Sequence, residues 1–540
     1  MTFARGGSHS KLVRSSLFRS GSFVRSLIIG AACIPATSAF TAAAKLPSLR
    51  SQLSSSSLTD TKLPPRAKKL SSLSTSMNLF RAFSGQGESV QKLSQSFVES
   101  APSWSELEEM VKGSATGARL MEEKQQRMRG AGPTHRENKL RLFGQQEKDI
   151  RVVLYRDSAA WCPYCQKVWL LLEEKEIPYK IELINMRSYG DKPDWFLAKN
   201  PRGLLPVVEI DGKMISESVY IMQVLDSLTE KKPMLPRSDQ QLMDRANSLM
   251  QLERRLFGDW CGFVFQPGAF GRSSFEDTLN LVDEALRSSP GPWFLGGDSP
   301  SIVDLQYISH IERMIPSCLY WKGFQMRGNG KWKGIEAWLA AFEQRPTYMA
   351  TKSDYYTHVM DIPPQYGPGQ PIPEADKYQK EIDGRAGWSL PLPPLSENSI
   401  EPVLAFNNPG DEAARHEAAT SLLGNHEAVA RFCCRAAGSG VGDWFRKGGM
   451  TRSKLADPNA QPNEEYVKDV DACLRVLTKA LLVGTQEVEG NVSFPTSGAK
   501  VQKECLLYLQ QRISVPRDMS FPAARQLRAH LSWMMDKLVD

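Results

Sequence analysis

The residues best equipped for chemistry are two cysteines three positions apart, Cys162 and Cys165, in the stretch "DSAAWCPYCQKVWLLLEE" (157–174). A thiol attacks poorly until it ionises, and the unpaired N–H groups and positive dipole end of a helix N-terminus lower its pKa. The residues that follow supply such a helix. Pro163 stands where a first-turn residue needs no N–H, and Val168, Leu171, Leu172 and Lys175 recur at helical intervals. Cys162 is therefore expected just ahead of the helix as an activated thiol. Cys165, one turn in, is expected to be more buried yet close enough to resolve a mixed disulfide on Cys162. A zinc clip needs two further ligands, usually a second close pair of Cys or His, and none with suitable spacing is evident, so no metal is expected. A merely packed pair is disfavoured because Cys162 precedes the helix rather than lying on its apolar face.

The elements around this pair read as α/β followed by all-α. "RVVLYR" (151–156) and "YKIELINM" (179–186) are strand-like, and "DKPDWFLAKN" (191–200) reads as a short helix. "LLPVVEID" (204–211), a turn at Asp211-Gly212 and "KMISES" (213–218) make a β-hairpin, followed by a helix over 217–228. The order βαβα then ββα predicts a thioredoxin-like domain over 150–230. Residues 237–352 read as a helical domain, with Ser301 and Asp304 forming an S-x-x-D box at the start of one helix. A Pro-rich linker or wrap is expected over 353–378. Four amphipathic segments near 411–437, 463–483, 498–513 and 521–538 predict a helical bundle within 379–540. A helical lead-in is expected over 101–149, weakened by Gly113 and Gly117.

The chain of 540 residues is long enough for about three domains. Its formal charge of +7 is concentrated at one end, since residues 1–80 hold eleven Lys/Arg against one acid, Asp60. Nucleic-acid binding by the body is therefore not expected. Nine scattered cysteines do not resemble the framework of a small secreted domain and favour a reducing compartment. Residues 1–39 look like a signal peptide: five basic residues precede the short apolar run "LIIGAACIPATSA" (27–39). Residues 40–100 are Ser-rich and basic at first and read as a transit peptide and disordered leader. The "SAF" at 38–40 resembles the cleavage motif of bipartite plastid presequences, which implies a plastid destination; a secreted protein is the alternative. Beyond this region no apolar run of about 18 residues occurs, so no transmembrane segment is expected in the mature protein.

Several motifs in order, "WCPYCQ", "DKPDWFLAKNPRGLLPVVEIDG", "SESVYIMQVLDSL" and the S-x-x-D helix start, resemble the cysteine-type glutathione S-transferases: the omega, lambda and dehydroascorbate reductase classes. The resemblance spans about 150–350. It implies Cys162 as the catalytic cysteine, Tyr164 as the aromatic beside it, and Lys192 as a cation for the glycine carboxylate of glutathione. It also implies a cis Pro206, a Leu205 backbone that pairs with the cysteinyl unit as an added strand, and Glu217 and Ser218 at the γ-glutamyl end. Cys165 departs from the pattern, since many cysteine-type transferases lack a second cysteine there; C-P-Y-C is the dithiol of glutaredoxins.

The implied activity is glutathione-dependent thiol transfer, either deglutathionylation or dehydroascorbate reduction, with glutathione as cosubstrate. Conjugation of electrophiles, which would need Tyr155 or Ser158 near the sulfur, and a non-catalytic ligand carrier or scaffold are the alternatives. A homodimer or a partner docked on the C-terminal extension is a further expectation. Residues 379–540 lie outside the ordinary transferase fold and resemble an extension on some algal and plant plastid homologues. Cys433, Cys434, Cys473 and Cys505 read as core thiols. His416-Glu417 and His426-Glu427 lack the H-E-x-x-H spacing of a zinc helix.

Overall fold

In this computed structural model the described residues are 92–440 and 453–540. The signal-peptide reading and most of the leader reading fall outside them.

Short runs rich in Val, Ile, Leu and Tyr build a five-stranded mixed sheet in the order β1-β3-β2-β4-β5. The strands are β1 (Leu140–Arg141), β2 (Val152–Asp157), β3 (Tyr179–Ile184), β4 (Val207–Ile210) and β5 (Lys213–Ser216). β2 and β3 run parallel with Asp157 opposite Ile184, while antiparallel β4 places Val207 opposite both Tyr155 of β2 and Ser216 of β5. That register brings the ends of β2, β3 and β5 and the start of β4 to one edge of the sheet. The fold is thioredoxin-like, with β1 added on the outside.

Before the sheet come α1 (Gln95–Ser100), α2 (Trp104–Gly113) and α3 (Ala115–Met128); within it lie α4 (Pro163–Glu174), α5 (Asp194–Lys199) and α6 (Ser218–Asp226). The helical domain follows with α7 (Gln240–Val264), α8 (Arg272–Arg287), α9 (Ile302–Lys322), α10 (Lys333–Glu343), α11 (Pro346–Met349) and α12 (Tyr355–Tyr366). Helix α4 packs against α6 and α9 and is buried almost all round, which is why its apolar pattern is broader than a single stripe. At the start of α9, Ser301 and Asp304 cap each other reciprocally, as the sequence predicts.

Where an extended linker is expected over 353–378, the chain instead forms α12, with Pro363 and Pro364 inside its last turns. Proline is costly in a helix interior. Here the eight residues Tyr355, Tyr356, Thr357, His358, Val359, Met360, Asp361 and Ile362 are buried, and packing against α9 outweighs that cost. Another helix, α13 (Asp376–Ile382), follows.

The C-terminal region holds α14 (Asp411–Leu423), α15 (His426–Cys433), α16 (Val467–Val483), α17 (Thr485–Glu489), α18 (Lys500–Gln510) and α19 (Phe521–Lys537). It shares one apolar core with the lead-in: Leu93, Phe97, Leu107 and Val111 pack with residues of α14, α16 and α19. The leader reading of 40–100 is thereby corrected for its last residues. Leu93 N–H donates to Asp469 at 2.9 Å, and Phe97 is fully buried, a burial that contributes about 2–3 kcal/mol. One short helix shows too little periodicity to be recognised alone, and its partner lies over 370 residues away. Trp104 donates to Asp471 at 2.8 Å and stacks on His426 at 4.3 Å, so this histidine is a packing residue. Cys433, Cys434, Cys473 and Cys505 are all buried in the same core.

Beside α12, Glu401 accepts the Tyr355 N–H at 2.9 Å, and burial, followed by the charge of Asp354, raises its pKa from 4.5 to about 8. The folded protein thus retains a proton that the unfolded chain releases, and stability is expected to fall as pH rises from 4.5 to about 8. Glu401→Gln keeps the acceptor without the charge. Its urea midpoint is expected to lose this part of the pH slope and to exceed that of the parent protein at alkaline pH.

Candidate active site

The turn after β2 is wound around one carboxylate. Asp157, 1% exposed, accepts the N–H of Trp161 at 2.7 Å and of Cys162 at 3.1 Å through the same oxygen, Oδ2. Ala160 takes a positive φ of 54° to make the turn. Cys162 emerges as the N-cap of α4 with Pro163 at the first helical position, and its carbonyl accepts the N–H of Cys165 and Gln166. Its exposure is 9% against 1% for Cys165. The expected difference in burial is present. Burial, and then the neighbouring Cys162, pushes the Cys165 thiol well above its ordinary range.

Beneath the turn lies a buried polar clamp. Arg313 of α9 donates to the Trp161 carbonyl and, at 2.9 Å, to Gln166, whose amide donates to Glu312 at 2.8 Å. The Trp161 indole donates to Nδ1 of His358 at 3.1 Å, while Nε2 of the same ring lies 3.1 Å from Glu312. With Nδ1 accepting, the proton belongs on Nε2, and burial keeps this histidine neutral by lowering its pKa. Against the upward push of burial, His358 and Arg313 hold Glu312 down to about 2. The clamp draws on α12, the segment read as a linker, and would not be recognised from spacing.

The residues implied for glutathione gather at the same sheet edge. Leu205-Pro206 is cis and immediately precedes β4. Glu217 follows β5 with φ 72°, a region that an L-residue rarely occupies, and so caps α6 with Ser218 as its first residue. Arg202 pairs with Glu217 at 3.1 Å. Tyr164 is partly exposed, with its ring edge-on to His310 and 4.9 Å from the Lys167 ammonium. Lys192 turns inward: its ammonium donates to the Asn185 carbonyl at 2.6 Å, and burial lowers its pKa while Cys165, Cys162 and Asp157 oppose that shift.

The hydroxyl alternatives are engaged elsewhere. Tyr155 bonds to Glu209 at 2.9 Å and to Lys199 at 3.2 Å, and Ser158 donates to Asn185 at 2.7 Å. Tyr366, at the end of α12, packs edge-on against Phe257 and Trp260 and lies within electrostatic reach of Cys162. Sequence reasoning missed Asp157, Arg313, His358 and Tyr366; only Asp157, five residues ahead of Cys162, was within reach of a local argument. A cavity of about 1230 Å³ lies elsewhere, between the lead-in and the C-terminal helices, and none of the predicted site residues lines it. Among the described residues no helix is long and apolar enough to cross a membrane.

Residues 161–228 match the family model "Glutathione S-transferase, N-terminal domain". The chain is 34% identical over 146 residues to Glutathione S-transferase DHAR2 of Arabidopsis thaliana, a match that covers 27% of this chain and 62% of that relative, so under two thirds of its length is spanned. It is 28% identical over 221 residues to mouse (Mus musculus) Glutathione S-transferase omega-1, covering 39% of this chain and 84% of the relative. A crystal structure of Chlamydomonas reinhardtii dehydroascorbate reductase superposes with TM-score 0.34 at 20% identity, over 40% of this chain and 99% of the other.

Proposed function

Starting from a chain that carries a glutathione S-transferase N-terminal domain at 161–228, we propose that it is a glutathione-dependent thiol transferase whose attacking group is the Cys162 thiolate. The observation that carries this is the convergence of Cys162 at a helix N-cap, the cis Leu205-Pro206 and the N-terminus of α6 on one sheet edge. Glutathione would lie along the strand edge beside Leu205, its γ-glutamyl carboxylate toward the positive end of α6 and its sulfur toward Cys162. Tyr164 and Lys192 would flank it.

In the reaction, the Cys162 sulfur attacks a mixed disulfide of glutathione, forming a Cys162–glutathione disulfide and releasing the other thiol. A second glutathione or Cys165 then displaces the bound tripeptide. Net, one mixed disulfide and one glutathione become one thiol and one glutathione disulfide. Dehydroascorbate is the second oxidant class suited to this site; two glutathiones reduce it to ascorbate. The presequence pattern within residues 1–91 supports a plastid destination for this activity.

The test is intact-protein mass spectrometry after exposure to glutathione disulfide, with peptide mapping, alongside turnover of a small mixed disulfide. A single glutathionyl unit on Cys162, or the Cys162–Cys165 disulfide that follows from it, and glutathione-dependent turnover are expected. A protein that binds glutathione tightly but neither forms that adduct nor turns over would be a carrier, and the proposal would fail.

A further inference from the structure

We propose that Asp157 is the proton acceptor for Cys165 in the step that closes a Cys162–Cys165 disulfide, so that the site runs a two-thiol cycle. This rests on the reading of Cys162 as the attacking thiol.

A carboxylate oxygen of Asp157 and the sulfurs of Cys162 and Cys165 all lie within 4.8 Å of one another, and all three residues are buried. The two oxygens of that carboxylate are used unequally. Oδ2 takes both backbone N–H groups of the turn, whereas Oδ1 is buried without a hydrogen-bond partner. An acceptor left in that condition is costly to bury, and a role in proton transfer accounts for it. The Cys165 thiol is a donor within that radius. It is also the thiol that most needs a base, because burial in the core suppresses its ionisation. The other charged groups within reach of the Asp157 carboxylate are Arg156 on β2, Lys192 after β3 and Asp361 on α12.

In the closing step the Asp157 carboxylate takes the proton from Cys165. The Cys165 sulfur attacks the Cys162 sulfur of the Cys162–glutathione disulfide, that S–S bond breaks, and glutathione leaves as a thiolate which then regains a proton. The internal disulfide is reduced by two glutathiones, which leave as glutathione disulfide with both cysteines restored. Oxidant and reductant are those of the proposed activity, and no further reactant is required.

Asp157→Asn is the informative variant, since the amide oxygen still accepts from Trp161 and Cys162 while the base is lost. Protein loaded with one glutathionyl unit on Cys162 is followed by rapid quench and mass spectrometry for loss of the adduct and formation of the internal disulfide. We expect closure in Asp157→Asn to be slower by about ten-fold or more near neutral pH, with its pH midpoint displaced upward. Alkylation of Cys162 by iodoacetamide, measured in a Cys165→Ser background, should not slow in this variant, because the carboxylate it removes lies close enough to oppose a Cys162 thiolate. An unchanged closure rate and midpoint overturns the proposal, as does a closure rate that falls only in parallel with Cys162 alkylation, the sign of a distorted turn. Should the variant not fold, the parent protein decides: assisted closure is nearly flat with pH around neutrality, whereas a rise of about ten-fold per pH unit overturns assistance. Failure of the parent protein to form either a Cys162 adduct or the internal disulfide defeats the thiol-exchange reading instead, so the two failures are distinguishable.

Discussion

Cys162→Ser is expected to lose glutathione-dependent reduction of a small mixed disulfide by about a thousand-fold or more, while its unfolding midpoint stays close to that of the parent protein. A serine hydroxyl does not ionise near neutral pH even at a helix N-terminus, so the dipole of α4 has no anion to stabilise. The swap is nearly isosteric, and the backbone contacts that build the turn, from Asp157 to the Cys162 N–H and from the Cys162 carbonyl to Gln166, do not involve the sulfur. Activity and stability should therefore separate cleanly. Cys165 cannot substitute, because its thiol is buried and pushed far above the ordinary cysteine range. A Cys162→Ser protein that retained parental turnover would remove the sulfur from the mechanism and leave a hydroxyl or carrier role to be explained.

Arg528→Ala is expected to destabilise the protein by about 3–5 kcal/mol, the usual cost of removing one member of a buried ion pair. Arg528 of α19 is bound to Asp354 at 2.6 Å, with both side chains almost wholly buried, and it also donates to the Ile513 carbonyl at 2.9 Å. Its guanidinium lies 4.6 Å from the Tyr356 ring centroid and 5.0 Å from that of Trp388. Asp354 in turn caps α12 by accepting the Thr357 N–H at 3.0 Å. The variant therefore strands a charge at the N-terminus of the helix that supplies His358 to the clamp beneath Trp161. Urea titration should show the lost stability. If the C-terminal region were a loosely docked addition, the stability would change by less than about 0.5 kcal/mol. A second consequence follows from the same geometry: partial loosening of α12 should lower turnover before the fold is lost.

These two residues mark different kinds of legibility. Cys162 is found by local rules, because a thiol, a proline and a run of apolar residues at helical spacing declare a helix start within a few positions. Arg528 carries no such signal. Nothing in "FPAARQLRAHLSWMMDK" distinguishes the arginine that is buried from those that are not, since burial of a charge depends on a carboxylate supplied from elsewhere in the chain. The Pro-rich segment misleads for the related reason that proline content reports on backbone propensity alone. Helix α12 forms because eight consecutive residues find a buried environment, and that term is absent from any local window.

By itself the sequence determined the order of strands and helices from β2 to α6, the helical character of the domain that follows, the capped start of α9, the position of Cys162 ahead of its helix and the deeper place of Cys165. Each of these follows from interactions spanning a handful of residues. Only the tertiary structure decided that Asp157 faces both thiols, that Arg313 and His358 hold the turn from below, and that the last residues read as leader belong to a core built by α16 and α19. Those outcomes depend on contacts between residues up to some 370 positions apart, such as Leu93 with Asp469. Periodicity and spacing act along the chain, whereas the partner of a buried polar group is chosen by packing across it.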